Sequence, residues 1–372
     1  KINSYLNSRE KNRLRGMADF LDPKAPAVAR EFHKAGYATA HFGKWHQGGG
    51  RDVNDAPHPR AYGFDESLVS FEGLGDRILP PGRLSRDSEK LGQGKITHVP
   101  KHKQTEIYVD RTIDFIERHR DEPFYVHLWL NDVHDAHQPR ADVLAKFKKA
   151  SENPFERKFF AVMDEMDRQL GRLFDRIDQL QLAQKTMIVL TSDNGPTAWA
   201  RYYEAGFDPP GSTGGLRGRK WSLYEGGIRE PLIVCWKGSV PAGKTDESSV
   251  MVGTDLFPSF CAIAGIDVSD IAFDGQDMSR ALLGTPTKRT KPIFWEYGRD
   301  DLYLKPAAEN DRSPNCAIRE GNWKLLINAN NTHTELYDLE ADPKESTNLS
   351  QEHPEVAKRL ADKLCKWRES LP

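Results

Sequence analysis

Cysteine is scarce in this 372-residue chain, and its four examples, Cys235, Cys261, Cys316 and Cys365, stand far apart with no C-x-x-C pair. That spacing excludes a zinc-ribbon site and a dense disulfide framework, and leaves buried small hydrophobes as the simplest reading. An excess of positive charge is missing too, since 53 Lys and Arg face 55 Asp and Glu for a net charge of −2. Such a balance has no global field to gather polyanions, so no nucleic-acid partner is expected. No apolar run approaches the ~18 residues of a membrane span, and no secretory apolar segment opens the chain. Neither an initiator Met nor the apolar strand that starts most α/β domains precedes KINSYLNSREKNRLRG, so the natural N-terminus is expected to lie upstream.

What is present suffices for a sizeable core, at 38% hydrophobic residues. Residues 26–35 set Val28, Phe32 and Ala35 on one face of a short helix that stops at Gly36. Residues 37–42 alternate as a strand, and GKWH follows. PFYVHLWL (123–130) is apolar enough for a strand covered on both faces, and it ends in NDVHDAHQP. From Phe159 to Leu182 the apolar positions Phe159, Val162, Met163, Met166, Leu170, Leu173, Phe174 and Ile177 keep helical spacing. TMIVLT (186–191), ending in SDNG, and PLIVCW (231–236) read as two more buried strands. Strands alternating with helices predict an α/β fold with a mostly parallel central sheet flanked by helices. After about Leu283 the pattern changes. GTPTKRTKP reads as a linker, IFWEYG, NWKLLIN and ELYDLEADPKESTNL supply strands and a turn, and EVAKRLADKLCKWRESL is an amphipathic helix. The division expected is an α/β domain over 1–285 and a smaller C-terminal α+β subdomain over 286–372.

In a parallel sheet, ligands gather beyond the carboxyl ends of the strands, and four polar motifs of this chain fall there or on a glycine-rich loop. Asp193 and Asn194, before Gly195, offer two oxygen donors that suit a hard cation such as calcium or magnesium; in isolation they would be an ordinary Asx turn. Lys44 and His46, two apart in extended chain, point to one side and can address one anionic group, or be a solvated lysine and a loop histidine. His134, Asp135 and His137 can provide a general acid with an orienting carboxylate, a second metal site, or a hydrogen-bonded loop. In GLRGRKWSLYEGGIREP (215–231), Arg217, Arg219 and Lys220 form a cationic loop able to wrap an anion, and Glu225 and Arg229 a structural ion pair. Taken together, these features suit an oxyanion substrate, a sulfate or phosphate ester, with cations and a divalent ion on one tetrahedral anion.

The chain resembles the type I sulfatases of the alkaline-phosphatase-like superfamily through GYATAHFGKWHQGG, LNDVHDAHQP, LTSDNGP, LRGRKWSLYEGGIREPLIV, GTDLFPSFCAIAG and ELYDLEADPKESTNL, in the family's order. The resemblance implies calcium, in preference to magnesium, held by Asp193 and Asn194, and sulfate oxygens bound by Lys44 and Lys220. His46 would hydrogen-bond the nucleophile, and His137, matching the family's H-x-P histidine, would bind the ester oxygen and assist the leaving group; His134 has no clear counterpart. Trp221 stands where a glycine is common. Upstream of GKWH the family carries an aspartate pair and a C-x-P-S-R or S-x-P-S-R motif, whose Cys or Ser becomes formylglycine. No cysteine here lies in such a motif, so this chain is expected to begin after that segment and to be inactive alone. The implied activity is hydrolysis of a sulfated carbohydrate or related small ester. The alternatives are an inactive binder of sulfated glycans and a phosphate or phosphonate hydrolase. Export to a periplasm, the exterior or a lysosome is expected by the same resemblance, and specificity is expected to lie in 51–105 and 197–215.

Overall fold

The run ATAHFGK forms the middle of a sheet because its small and aromatic side chains are covered on both faces: Thr39 to Gly43 are all buried in strand β1 (Ala38–Lys44). Around it a computed structural model, which describes residues 9–14, 16, 18–48, 56–70, 74–81, 94–298 and 303–371, sets β2 (Glu66–Ser70), β3 (Arg77–Leu79), β4 (Ile96–His98) and β5 (Phe124–Trp129). The order is β4-β3-β2-β1-β5 and every pairing is parallel. On one face the helix Lys101–Arg118 lays Tyr108 and Phe115 onto Ala40, Phe42, Leu68, Ile78 and Val99. On the other, Trp45 and Val69 join Ala29, Tyr62 and Phe64.

Two helices start away from their predicted positions for local reasons. The first spans Val28–Lys34 and buries Ala29 and Phe32, leaving Ala35 exposed. The second begins at Pro154, because Asn153 accepts the Phe155 N–H (2.9 Å) as an N-cap and proline suits the first helical position. It runs to Gln179 and buries Val162, Leu173 and Ile177, while Met163 and Phe174 are exposed.

The chain divides into two units, Lys1–Thr186 with Phe257–Ser279, and Met187–Leu256 with Arg280–Pro372. The parallel sheet belongs to the first. In the second, β6 (Ile188–Thr191) and β7 (Leu232–Cys235) differ from expectation: they pair with each other, antiparallel, as a separate two-stranded sheet. They are not buried on both faces either, since Leu190 and Ile233 are exposed. An apolar run reveals a strand but not the sheet it joins.

The second unit also holds the antiparallel sheet β11-β10-β9-β8, made of β8 (Ile293–Glu296), β9 (Cys316–Glu320), β10 (Trp323–Ile327) and β11 (Glu335–Asp338). The helix Pro354–Ser370 covers it, setting Ala357, Leu360 and Leu364 on Ile318, Leu325 and Leu336. This is the α+β element expected at the C-terminus, with β9 as an unforeseen strand. The cysteine expectation holds for Cys261 and Cys316, which are buried, and fails for Cys235, which is exposed. Among the described residues, no helix is long and apolar enough to cross a membrane.

Candidate active site

Within the first unit, Lys44 is the last residue of β1, and His46 and the segment 131–139 follow the carboxyl ends of adjacent parallel strands, Gly43 pairing with Trp129 and Lys44 with Ser70. Gly43 makes this close approach possible: at φ +122, a Cβ there would sit 1.8 Å from the Trp129 carbonyl oxygen. Trp45 is buried whereas Lys44 is half-buried and His46 exposed, the alternation that sends Lys44 and His46 to the side away from Trp45.

Beneath Lys44 lies a buried histidine pair that sequence reading missed. His41 is fully buried, its Nε2–H donates to the Lys44 carbonyl (3.1 Å), and its ring meets Trp45, Trp129 and Phe64 edge-on. Its Nδ1 is buried without a hydrogen-bond partner, so a second proton there would be stranded; burial pushes its pKa down to about 4 despite the Lys44 carbonyl. His127, stacked on Trp129 and paired through Nε2 with the Tyr125 hydroxyl, is pushed down to about 3 by burial and by His41.

The histidine segment is tied down by its own polar groups. Asn131 exchanges hydrogen bonds with Ser70 at the end of β2 and donates to Gln104 (2.8 Å). The Lys101 ammonium donates to the Ala136 carbonyl (2.8 Å) and to that of His134. His137 is turned inward, its side chain only 4% exposed, with Nδ1 3.7 Å from Asp135 Oδ1, Nε2 donating to the Val133 carbonyl (3.0 Å) and its ring against Phe159. Asp135 therefore stands beside the ring, though too far for a hydrogen bond to it. His134 is exposed and its Nδ1–H donates to the Asp135 carbonyl (2.7 Å). Among the described residues no group of three or more His, Cys, Asp or Glu is arranged to hold a metal.

In the second unit, the turn bearing Asp193 and Asn194 is tied to the loop bearing Lys220 by one knot of hydrogen bonds to main-chain carbonyls. The Gly195 N–H donates to the Gly227 carbonyl (3.0 Å), the Lys220 N–H to the Pro196 carbonyl (2.9 Å) and Arg219 Nε to the Thr197 carbonyl (2.8 Å). Only glycine fits at 195, where a Cβ would lie 2.0 Å from the Gly226 carbonyl oxygen. Arg217 and Arg219 do not form the anion-wrapping cluster expected of them. Arg219 donates to the carbonyls of Thr197, Pro209, Pro210 and Gly211, and Arg217 lies 3.8 Å from the centre of the Tyr224 ring and donates to Tyr337 and the Glu345 carbonyl. Both brace the loop that carries Lys220.

That loop ends in a buried ion cluster whose main members have no sequence proximity. The anticipated pair exists, Arg229 standing 3.9 Å from Glu225, but Lys324 is the nearer partner at 2.8 Å and also reaches Glu345 (2.9 Å). The side chains of Lys324, Glu225 and Glu345 are 0%, 3% and 0% exposed, and the Glu225 N–H donates to Glu345 Oε2 (2.6 Å). Burial raises the proton affinity of Glu225, yet Lys324 outweighs it and holds the carboxyl below its usual range.

The donors for an implied calcium ion are all oxygen. Asn194 spends its Nδ2 on the Gly195 carbonyl (2.9 Å), which leaves its oxygen for other use, and Asp193 is exposed. Glu230, missed by sequence reading, has a buried Oε1 without a hydrogen-bond partner; burial and the Asp193 charge push its carboxyl up to about 7. The Thr191 hydroxyl, which donates to the Pro231 carbonyl (2.8 Å), ties these two segments together. A hard cation fits this set, though calcium takes about six to eight oxygens and these side chains supply only some.

The family model described as Sulfatase matches residues 3–266, and that of the N-sulphoglucosamine sulphohydrolase C-terminal region matches 218–370. An N-acetylgalactosamine-6-O-sulfatase of Bacteroides thetaiotaomicron is 27% identical over 92% of this chain and 77% of its own length. The N-acetylgalactosamine-6-sulfatase of Sus scrofa is 31% identical over 71% of the chain, which spans 49% of that relative. The crystal structure of Ps i-CgsB in complex with k-i-k-neocarrahexaose shares the fold with a TM-score of 0.75 at 23% identity, covering 98% of this chain and 78% of the other. With a family model spanning well over half its length and these relatives behind it, the chain belongs to the sulfatase family.

Proposed function

We propose that this protein hydrolyses the sulfate ester of a carbohydrate, with an N-acetylhexosamine 6-sulfate as the first substrate to try. The observation that carries this reading is the knot of the second unit, which ties the Lys220 main chain to the turn bearing Asp193 and Asn194. A lysine and a hard-cation donor set on one scaffold suit a sulfate group, whose charge is spread over several oxygens. The N-acetylgalactosamine-6-sulfatase relatives support the choice of sugar.

In this reading Lys220 neutralises sulfate oxygens and Asp193 and Asn194 hold calcium, which would clamp the anion and take up charge in the transition state; Lys44 is assigned to the sulfate by the family resemblance of GKWH alone. His46 hydrogen-bonds the attacking group. His137, as its imidazolium beside Asp135, gives the Nε2 proton that now donates to the Val133 carbonyl to the departing sugar oxygen and is left as neutral imidazole. The attacking oxygen would come from a formylglycine; residues 1–372 contain no C-x-P-S-R or S-x-P-S-R motif, and no residue described above is assigned that role. The test compares turnover of N-acetylgalactosamine 6-sulfate and its 6-phosphate by the full-length protein, alone and as Lys220→Ala. The sulfate should be favoured, and the substitution should lower kcat/KM by about 10²–10³-fold without altering the thermal midpoint. Preference for the phosphate, or unchanged kinetics in the variant, would overturn the assignment.

A further inference from the structure

We propose that Trp199 and Trp221 form the platform for the sugar ring of the substrate and that Arg201 receives a second anionic group of the glycan. The inference rests on the sulfatase reading above, because it takes Lys220 as the anchor of the sulfate. Trp221 directly follows Lys220, and Trp199 lies three residues beyond Pro196, whose carbonyl accepts the Lys220 N–H. The bond from Arg219 to the Thr197 carbonyl clamps the same two segments, and the Ala198 carbonyl accepts the Ala307 N–H (3.1 Å). Each clamped segment thus contributes one indole, and the two rings meet edge to face, 4.6 Å between centroids at 85°.

Trp221 is held at φ +74, in the left-handed region that glycine enters freely and a bulky side chain enters at a cost on the order of 1–2 kcal/mol. Core packing does not account for it, because both indoles are half-buried and neither belongs to the buried apolar clusters of this unit. An indole face is electron-rich and attracts cations and the positively polarised C–H bonds along one side of a pyranose. The Arg201 guanidinium, on an exposed residue, already uses this preference, lying 5.9 Å from the Trp199 ring centre and 5.0 Å from that of Tyr202. A sulfated sugar needs a cation for its sulfate and a flat apolar surface for its ring. Lys220 precedes Trp221 directly in the clamped segment, so one short stretch carries both, and Arg201 adds a charge suited to a carboxylate or second sulfate.

The experiment measures KM for N-acetylgalactosamine 6-sulfate and inhibition by inorganic sulfate for the full-length protein and its Trp221→Gly, Trp199→Ala and Trp199→Phe variants. Trp221→Gly takes up φ +74 without strain, so its thermal midpoint should hold or rise. The expected result is a KM raised about tenfold by Trp221→Gly and Trp199→Ala, worth about 1.4 kcal/mol each, with Trp199→Phe close to the parent and sulfate inhibition changed less than about twofold. Arg201→Ala should weaken a disulfated sugar more than a monosulfated one. An unchanged KM in both indole-deleting variants overturns the platform while leaving the sulfatase reading intact. A parallel loss of sulfate inhibition overturns it as well, by showing that the indoles act through Lys220. Failure of the parent protein to bind sulfate or turn over any sulfate ester would sink the sulfatase reading, and the platform with it, before any variant is compared.

Discussion

Acidification should unfold the first unit through His41 and His127. Both rings are neutral when folded, with pKa values pushed down to about 4 and about 3, whereas in the unfolded chain they return to about 6.5. Between those values the unfolded state binds more protons, so the contribution is fully present above about pH 6.5 and is lost as the pH falls toward 4. At pH 5 each ring costs about 2 kcal/mol relative to pH 8, and the pair about 4 kcal/mol, a large part of the ~5–15 kcal/mol that holds a typical domain together. Urea unfolding followed by tryptophan fluorescence at pH 5, 6, 7 and 8 measures this, since Trp45 and Trp129 touch His41. In His41→Leu the protein starts less stable at pH 8, but its drop to pH 5 should shrink by about 2 kcal/mol because one titrating ring has gone. An equal drop in parent and variant would refute the reasoning, as would a parent whose stability is flat over this range.

Lys324→Met leaves two buried carboxylates facing each other and should cost about 3–5 kcal/mol; adding Glu225→Gln and Glu345→Gln should recover part of it, and a loss below about 1 kcal/mol in thermal unfolding would contradict the cluster's role. Gly195→Ala forces a methyl to within 2.0 Å of the Gly226 carbonyl oxygen and should destabilise the second unit by about 1–3 kcal/mol or more, read as a lowered urea midpoint; an unchanged midpoint would mean the turn is slack. Asp193→Ala should abolish calcium binding measured by calorimetry on the full-length protein, and normal binding would remove this residue from the ligand set.

The ends of strands were readable because the pattern breaks there: apolar runs stop abruptly at GKWH, NDVHDAHQP and SDNG, and glycine or a polar cluster in that position marks a turn. Partner choice among strands was not readable. Nothing within TMIVLT or PLIVCW says that they pair with each other and leave the parallel sheet to β1–β5. Arg217 and Arg219 looked like ligands because charge in a glycine-rich loop gives no hint that carbonyls of the same unit will occupy the guanidinium groups. Lys324 did carry a signal, a lone cation inside the apolar run WKLLI. Its partner Glu225 is 99 residues away, however, and Glu345 reaches the Glu225 main chain across 120.

The cluster around Lys324 bears on how this protein can be cut. The ammonium comes from β10 and one carboxylate from the turn after β11, while the other sits five residues past Lys220. Any expression boundary drawn before Glu345 would leave Lys324 or Glu225 short of a counter-charge in a dry interior and loosen the segment that follows Lys220. The C-terminal sheet is therefore no removable appendage, and damage there, however remote in the gene, would be felt around Glu225.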